Sequence, residues 1–132
     1  MGSGGTVAGA VVVEDGRVLL IRRRVAVGEL LWTFPSGKVE QAESVRSAAA
    51  REAMEEAGVV VAPTVVLGGR VHPVTGWRVL YVACRVLSGT AGVASPREVA
   101  EVAWVGAAGL RGLIPGGVYG PVRGYLDGAL TA

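Results

Sequence analysis

The segment ESVRSAAAREAMEEAG, residues 43–58, constrains the chain more than any other stretch. Ala, Arg, Glu and Met favour helix, so a helix is predicted to begin at Glu43 or Ser44. It should end at Gly58, where a left-handed cap suits glycine. At about 100° per residue, Ala49, Ala50, Ala53, Met54 and Ala57 fill one arc. Side chains mostly that small let a helix lie close to a sheet. Glu52, Glu55 and Glu56 form a second arc beside the first, so the carboxylates should edge a cleft instead of facing bulk water. Like charges at i, i+3 and i+4 destabilise a helix by roughly 0.2–0.5 kcal/mol per pair. They also sit at the negative end of the helix dipole, which opposes them by a few tenths more. Such a sequence either leaves these groups in open water or brings a cation to them.

What surrounds this helix reads mainly as strands. TVAGAVVVE (6–14) is β-branched and nearly continuous in apolar character, so a strand buried on both faces is predicted. Asp15-Gly16 then signals a hairpin, with RVLLIRRR (17–24) returning. VAVGELLWTFPSGKVEQ (25–41) has no clean period and reads as a loop with a short strand near Leu31 to Thr33. VVVAPTVVLGGRVHP and WRVLYVACRVL read as strands joined through the turn signal PVTG, and VAEVAWVG (99–106) as another. AAGLRGL gives a helical turn, and PVRGYLDGALTA a terminal helix with Pro121 in its first turn. Five or six strands with one early and one late helix predict the α/β class, a mixed sheet between helices. No repeat or linker divides residues 1–132, so a single domain is expected, with MGSGG (1–5) a frayed start rather than a signal peptide.

The composition bounds the partners. The chain is 51% hydrophobic, yet no apolar run approaches the roughly 20 residues of a membrane span. A net charge of +2 is too small to argue for duplex nucleic acid. Cys84 is the single cysteine, which excludes a disulfide framework, and it reads as a buried strand residue. These features fit a cytoplasmic protein, monomer or homodimer, with a small-molecule ligand and neither duplex nucleic acid nor membrane as partner. The charge is informative locally: Glu40, Glu43, Glu52, Glu55 and Glu56 are five of the 11 acidic residues.

From Gly37 to Val59 the chain reads GKVEQAESVRSAAAREAMEEAGV: a glycine, five residues, Glu43, seven residues, Arg51-Glu52, two residues, Glu55-Glu56, one residue, Gly58. This resembles the Nudix box, the loop–helix–loop signature of the Nudix hydrolases, and the preceding WTFPSGK resembles the family's lead-in. Ala53 stands where the family usually has a bulkier aliphatic residue, which suggests closer helix–sheet packing. Ser36 stands where a glycine is common and still supplies a backbone carbonyl.

The resemblance implies a Nudix-type α/β/α sandwich and an enzyme, a pyrophosphohydrolase acting on acid anhydrides. Mg²⁺, with Mn²⁺ possible, is the implied cofactor, since a hard cation prefers oxygen ligands and substrate phosphates. It implies Glu52, Glu55, Glu56, the Ser36 carbonyl and Glu98 (ahead of Glu101) as metal ligands. Glu52 or Glu55 would take a proton from the attacking water, with Arg51 positioning a carboxylate and Glu43 structural. Arg23 and Lys38 are candidate phosphate contacts; Trp77 and His72 are candidate substrate contacts near the pocket mouth. The small size favours a MutT-like nucleoside triphosphate pyrophosphohydrolase releasing a monophosphate and pyrophosphate. An ADP-ribose or nucleotide-sugar pyrophosphatase is the alternative, and a non-catalytic nucleotide sensor is the alternative of another class.

Overall fold

The computed structural model describes residues 5–27 and 30–132. The residues expected to fray at 1–4, and Gly28 and Glu29 of the expected loop, lie outside them. The elements are β1 (Thr6–Glu14), β2 (Arg17–Val27), β3 (Leu30–Thr33), β4 (Ser36–Lys38), α1 (Val45–Ala57), β5 (Val60–Val71), β6 (Arg78–Ser88), β7 (Val99–Val105), α2 (Ala107–Leu113) and α3 (Gly120–Ala129). They form one mixed sheet ordered β3-β2-β1-β6-β5, with β4 also pairing β1 and β7 also pairing β2. The β1–β6 pair is parallel and the other pairs are antiparallel. The architecture is therefore the α/β sandwich with a mixed sheet expected from the sequence.

The continuous apolar runs explain why both faces are covered. Ala8, Ala10 and Val12 of β1, with Leu19 and Ile21 of β2, pack on one side with the α1 alanines. Val11, Val18 and Leu20 pack on the other side with Val122 and Leu126 of α3 and with Leu110 of α2. The β1–β2 turn holds Asp15 at φ 51° and Gly16 at φ 74°, the left-handed pair that a two-residue hairpin needs. Cys84 is buried as expected, and burial pushes its thiol up to about 12. Among the described residues no helix is long and apolar enough to cross a membrane.

Three details differ from the sequence reading. The sheet has seven strands among the described residues. The unanticipated one is β4, which pairs Ser36, Gly37 and Lys38 with Gly9, Ala8 and Val7; three residues with no apolar side chain carry no strand pattern. Met54, expected in the buried arc of α1, is 42% exposed. Ala48, Glu52 and Glu56 are buried instead. The helix is turned about its axis because β4 lies beneath it and gives the carboxylates room and a hydrogen-bond donor.

Candidate active site

The α1 helix begins where a cap residue allows it. The Ser44 side chain accepts a hydrogen bond from the Ser47 N–H, and Gly58 closes the far end at φ 71° with its N–H on the Met54 carbonyl. Between these caps the helix sets its glutamates against β4. Ser36 and Lys38 share one face of β4 and Gly37 takes the other. A Cβ on Gly37 would collide with the Glu52 carboxylate, so glycine here is a condition for Glu52 to sit down on the strand. The Ser36 N–H donates to Glu56 Oε1 at 2.8 Å. Ser36 lies in a strand, so its carbonyl is presented without the left-handed backbone that a glycine would supply.

Arg51 is the hub of the acidic cluster. Its Nε and Nη2 donate to the two oxygens of Glu43 at 2.8 and 2.9 Å, a bidentate pair. Its Nη1 donates to Glu52 Oε2 at 2.8 Å and to Glu55 Oε1 at 3.0 Å, and its Nη2 also donates to the Lys38 carbonyl at 2.9 Å. Glu43 in turn accepts from the Glu40 N–H at 3.0 Å. The guanidinium and that N–H lower the Glu43 carboxyl to about 2, and the same ion pair raises Arg51 above its ordinary value. Glu43 is thus structural, as the sequence suggested, and ties the loop before α1 to its middle turn.

Glu52 and Glu56 are different. They are 8% and 3% exposed, and burial raises both carboxyls. For Glu52 the Arg51 guanidinium offsets part of the rise. For Glu56 the Ser36 N–H offsets part of it, and the value still reaches about 7. These are buried carboxylates short of positive charge.

Among the described residues no three carboxylate, imidazole or thiol groups converge on one point as a metal site. The convergence anticipated for Glu52, Glu55 and Glu56 is replaced by Arg51 standing between Glu52 and Glu55. The donor set nevertheless suits a hard divalent cation. It is all oxygen, two of its carboxylates are under-compensated, and the Glu55 side chain is 55% exposed and can turn off Arg51.

A cavity of about 700 Å³ brings most of the expected residues together. Glu52, Glu55 and Glu56 line one wall; Arg23, Ser36, Lys38, His72, Trp77 and Glu98 line the rest. Strand alternation sends Arg23 into the cavity, where its Nη2 lies 3.4 Å from Ser36 Oγ. Its neighbours are engaged elsewhere, Arg22 with Glu101 at 2.7 Å and Arg24 with the Pro96 carbonyl at 2.7 Å. Arg23 Nε is buried with no hydrogen-bond partner among the described residues. Glu101 is thus occupied by Arg22, whereas Glu98 borders the cavity. Lys38 Nζ sits 4.6 Å from the centre of the Trp77 ring, so the indole expected to be free already carries a cation. Arg51 does not line the cavity; it holds the wall from behind.

Sequence reasoning missed Arg97, Thr75, Phe34 and Tyr81, which also line the cavity. Alternation along β6 could have paired Tyr81 with Val79, and along β1 Gly9 with Val7. Nothing local marked Arg97 or Thr75.

A family model described as NUDIX domain matches residues 4–119. The chain belongs to the Nudix family, whose members generally use divalent metal ions and act on nucleotide anhydrides. A MutT-like protein of Streptomyces ambofaciens is 34% identical over 100 residues, 76% of this chain and 62% of that protein. The CTP pyrophosphohydrolase of Escherichia coli is 43% identical over 54 residues, 40% of each chain. The chain thus spans less than two thirds of the length of these curated relatives. The crystal structure of a MutT NUDIX hydrolase from Burkholderia pseudomallei superposes with a TM-score of 0.69 at 26% identity, over 98% of this chain and 100% of that one.

Proposed function

We propose that this chain is a Mg²⁺-dependent nucleoside triphosphate pyrophosphohydrolase that releases a nucleoside monophosphate and pyrophosphate. One observation carries the reading: two buried, under-compensated carboxylates, Glu52 and Glu56, share a cavity with Arg23 and Lys38. A wall that lacks positive charge opposite side chains that carry it suits a metal–polyphosphate ligand. The volume of about 700 Å³ is in the range of small-molecule sites. The similarity to a CTP pyrophosphohydrolase supports the triphosphate class.

Mg²⁺, held by Glu52, Glu55, Glu56, the Ser36 carbonyl and Glu98, would polarise a phosphoryl oxygen and make a nearby water more acidic. The chain's own groups do the positioning. Arg51 orients Glu52 and, until Glu55 turns toward the metal, Glu55 as well; one of the two would accept the proton of the attacking water. Arg23, whose guanidinium lines the cavity, would meet a phosphate oxygen, a task that guanidinium suits. Lys38 reaches the same polyphosphate by leaving the Trp77 ring. His72 and Trp77 contact the rest of the substrate.

A panel of nucleoside triphosphates, ADP-ribose and nucleotide sugars, assayed with Mg²⁺ and with Mn²⁺, tests this. Phosphate and pyrophosphate are read separately. Pyrophosphate from triphosphates, lost in the Glu55→Gln/Glu56→Gln double variant, is the expected result. Two monophosphates from ADP-ribose and none from triphosphates would replace the substrate assignment. Nucleotide binding without any turnover would make the chain a sensor.

A further inference from the structure

The β5–β6 turn carries His72, Thr75 and Trp77 to the cavity, and its hydrogen bonds fix what those side chains can offer. His72 Nδ1 accepts from the Val74 N–H at 3.1 Å and from the Thr75 N–H at 3.4 Å. A ring nitrogen that accepts carries no proton, so the neutral imidazole is the Nε2–H tautomer and Nε2 is a donor. Thr75 Oγ1 accepts from the Trp77 N–H at 3.1 Å, which leaves its hydroxyl hydrogen to donate and one lone pair to accept. The Trp77 indole nitrogen can only donate, and so can the Lys38 ammonium seated on its ring. The turn is held rigid by the His72 N–H on the Trp77 carbonyl at 2.7 Å and the Gly76 N–H on the His72 carbonyl at 2.9 Å. Burial and the nearby Arg70 guanidinium lower His72, which keeps the ring neutral.

We infer that the β5–β6 turn is a donor-rich jaw that reads the nucleobase, with His72 Nε2–H selecting bases that present a carbonyl oxygen over adenine, which has none. This rests on the pyrophosphohydrolase reading of the same cavity. Three of the four donors are neutral, and Phe34, Val79 and Tyr81 add apolar and aromatic wall. A neutral donor beside aromatic surface suits a flat heterocycle better than a phosphate, whose charge belongs with Arg23 and the metal-binding wall. A base stacked on Trp77 would take the place of Lys38, whose ammonium the polyphosphate would attract. A site that donates to a carbonyl discriminates against a ligand lacking it, because the half-buried donor, once covered by the base, is then left unpaired.

The test uses a matched pair of variants. In His72→Asn the side-chain oxygen can still accept from the turn N–H groups and the amide still donates toward the cavity. In His72→Asp the turn stays capped, but the second oxygen can only accept. The ratio of kcat/KM for CTP, UTP and GTP to that for ATP is measured for all three proteins, with a thermal melt to show that each is folded. The wild type and His72→Asn should favour the carbonyl bases by about tenfold, and His72→Asp should lose that ratio or invert it toward ATP. The change should fall mainly in KM, since base binding is uniform between ground and transition states. Equal rates for all four nucleotides in the wild type, or a ratio unchanged in folded His72→Asp, would overturn the inference while leaving the hydrolase intact. If no triphosphate is cleaved by any of the proteins, the pyrophosphohydrolase reading fails separately. The jaw is then judged by calorimetric binding of CMP, UMP and GMP against AMP: the same tenfold ratio, lost in His72→Asp, upholds it, and equal affinities reject it.

Discussion

Replacing Glu56 by glutamine should make the metal-free protein more stable at high pH while removing a proposed metal ligand. The Glu56 carboxyl, 3% exposed, is raised by burial from 4.5 to about 7. A carboxyl whose folded value exceeds its unfolded one holds its proton more tightly when folded. It lends stability below the unfolded value and withdraws it as the pH rises through about 7. Taking 4.5 as the unfolded value, the loss between pH 5.5 and 8.5 is about 2 kcal/mol. The amide of Glu56→Gln cannot ionise and has no such slope. Its oxygen can go on accepting from the Ser36 N–H, but its NH₂ meets a site built for an acceptor, a pH-independent penalty of about 1–3 kcal/mol. Comparing the two proteins across pH cancels that constant and leaves the slope. Thermal melts followed by circular dichroism, in chelator, are the assay. From pH 5.5 to 8.5 the melting temperature of the variant should gain about 5–10 °C on the wild type. Mg²⁺ at pH 8.5 should close the difference by stabilising the wild type alone. A gap that stays flat across the range would show that the buried Glu56 carboxyl carries no raised value. The reading of this wall as short of positive charge would fall with it.

Gly37→Ala puts a methyl into the space of the Glu52 carboxylate; stability should fall by about 1–3 kcal/mol in urea titration, with turnover falling as well. Arg51→Met leaves Glu52 and Glu55 unheld, and, with these two as the proposed metal ligands, kcat should drop by about 10–100-fold; the fold is checked by circular dichroism. Ser44→Ala removes the α1 cap, whose oxygen accepts from the Ser47 N–H at 3.0 Å; urea titration should show a loss of about 1 kcal/mol. Lowering the pH through about 2 should release the Arg51–Glu43 pair, because Glu43 is lowered and its contribution is present only above that range; near-ultraviolet circular dichroism of the metal-free protein follows that change.

Much of the frame could be read from sequence because local and global signals agree there. The β1 run is apolar on both faces, and its alternate residues do divide between the two cores. Asp15-Gly16 admits the left-handed pair that the hairpin requires, and Ser44 and Gly58 close α1 where the pattern put its ends. What could not be read depends on contacts distant in sequence. The rotation of α1 that hides Glu52 and Glu56 and exposes Met54 is set by β4, a strand without a strand pattern. That Arg22 engages Glu101, 79 residues away in the chain, while Glu98 borders the cavity is likewise absent from any local pattern.

The same distinction separates the chemistry from the specificity. An acidic cluster on one helix is written in one continuous stretch, because the helix alone brings positions 52, 55 and 56 together. Its electrostatic state is not written there: Arg51 draws Glu43 far down, while burial against β4 lifts Glu56 to about 7. Neighbours four residues apart thus differ in how strongly they call for a cation, since Glu52 is hydrogen-bonded to the Arg51 guanidinium, whereas Glu56 is hydrogen-bonded to the Ser36 N–H and feels Arg23 only through space. The donor character of the β5–β6 turn lies one step further from the sequence. A lone histidine beside proline does not reveal which ring nitrogen bears the proton; two backbone N–H groups decide it. The proposed catalytic site therefore rests on residue types at fixed spacing, whereas the proposed selectivity rests on hydrogen bonds that only the folded turn creates.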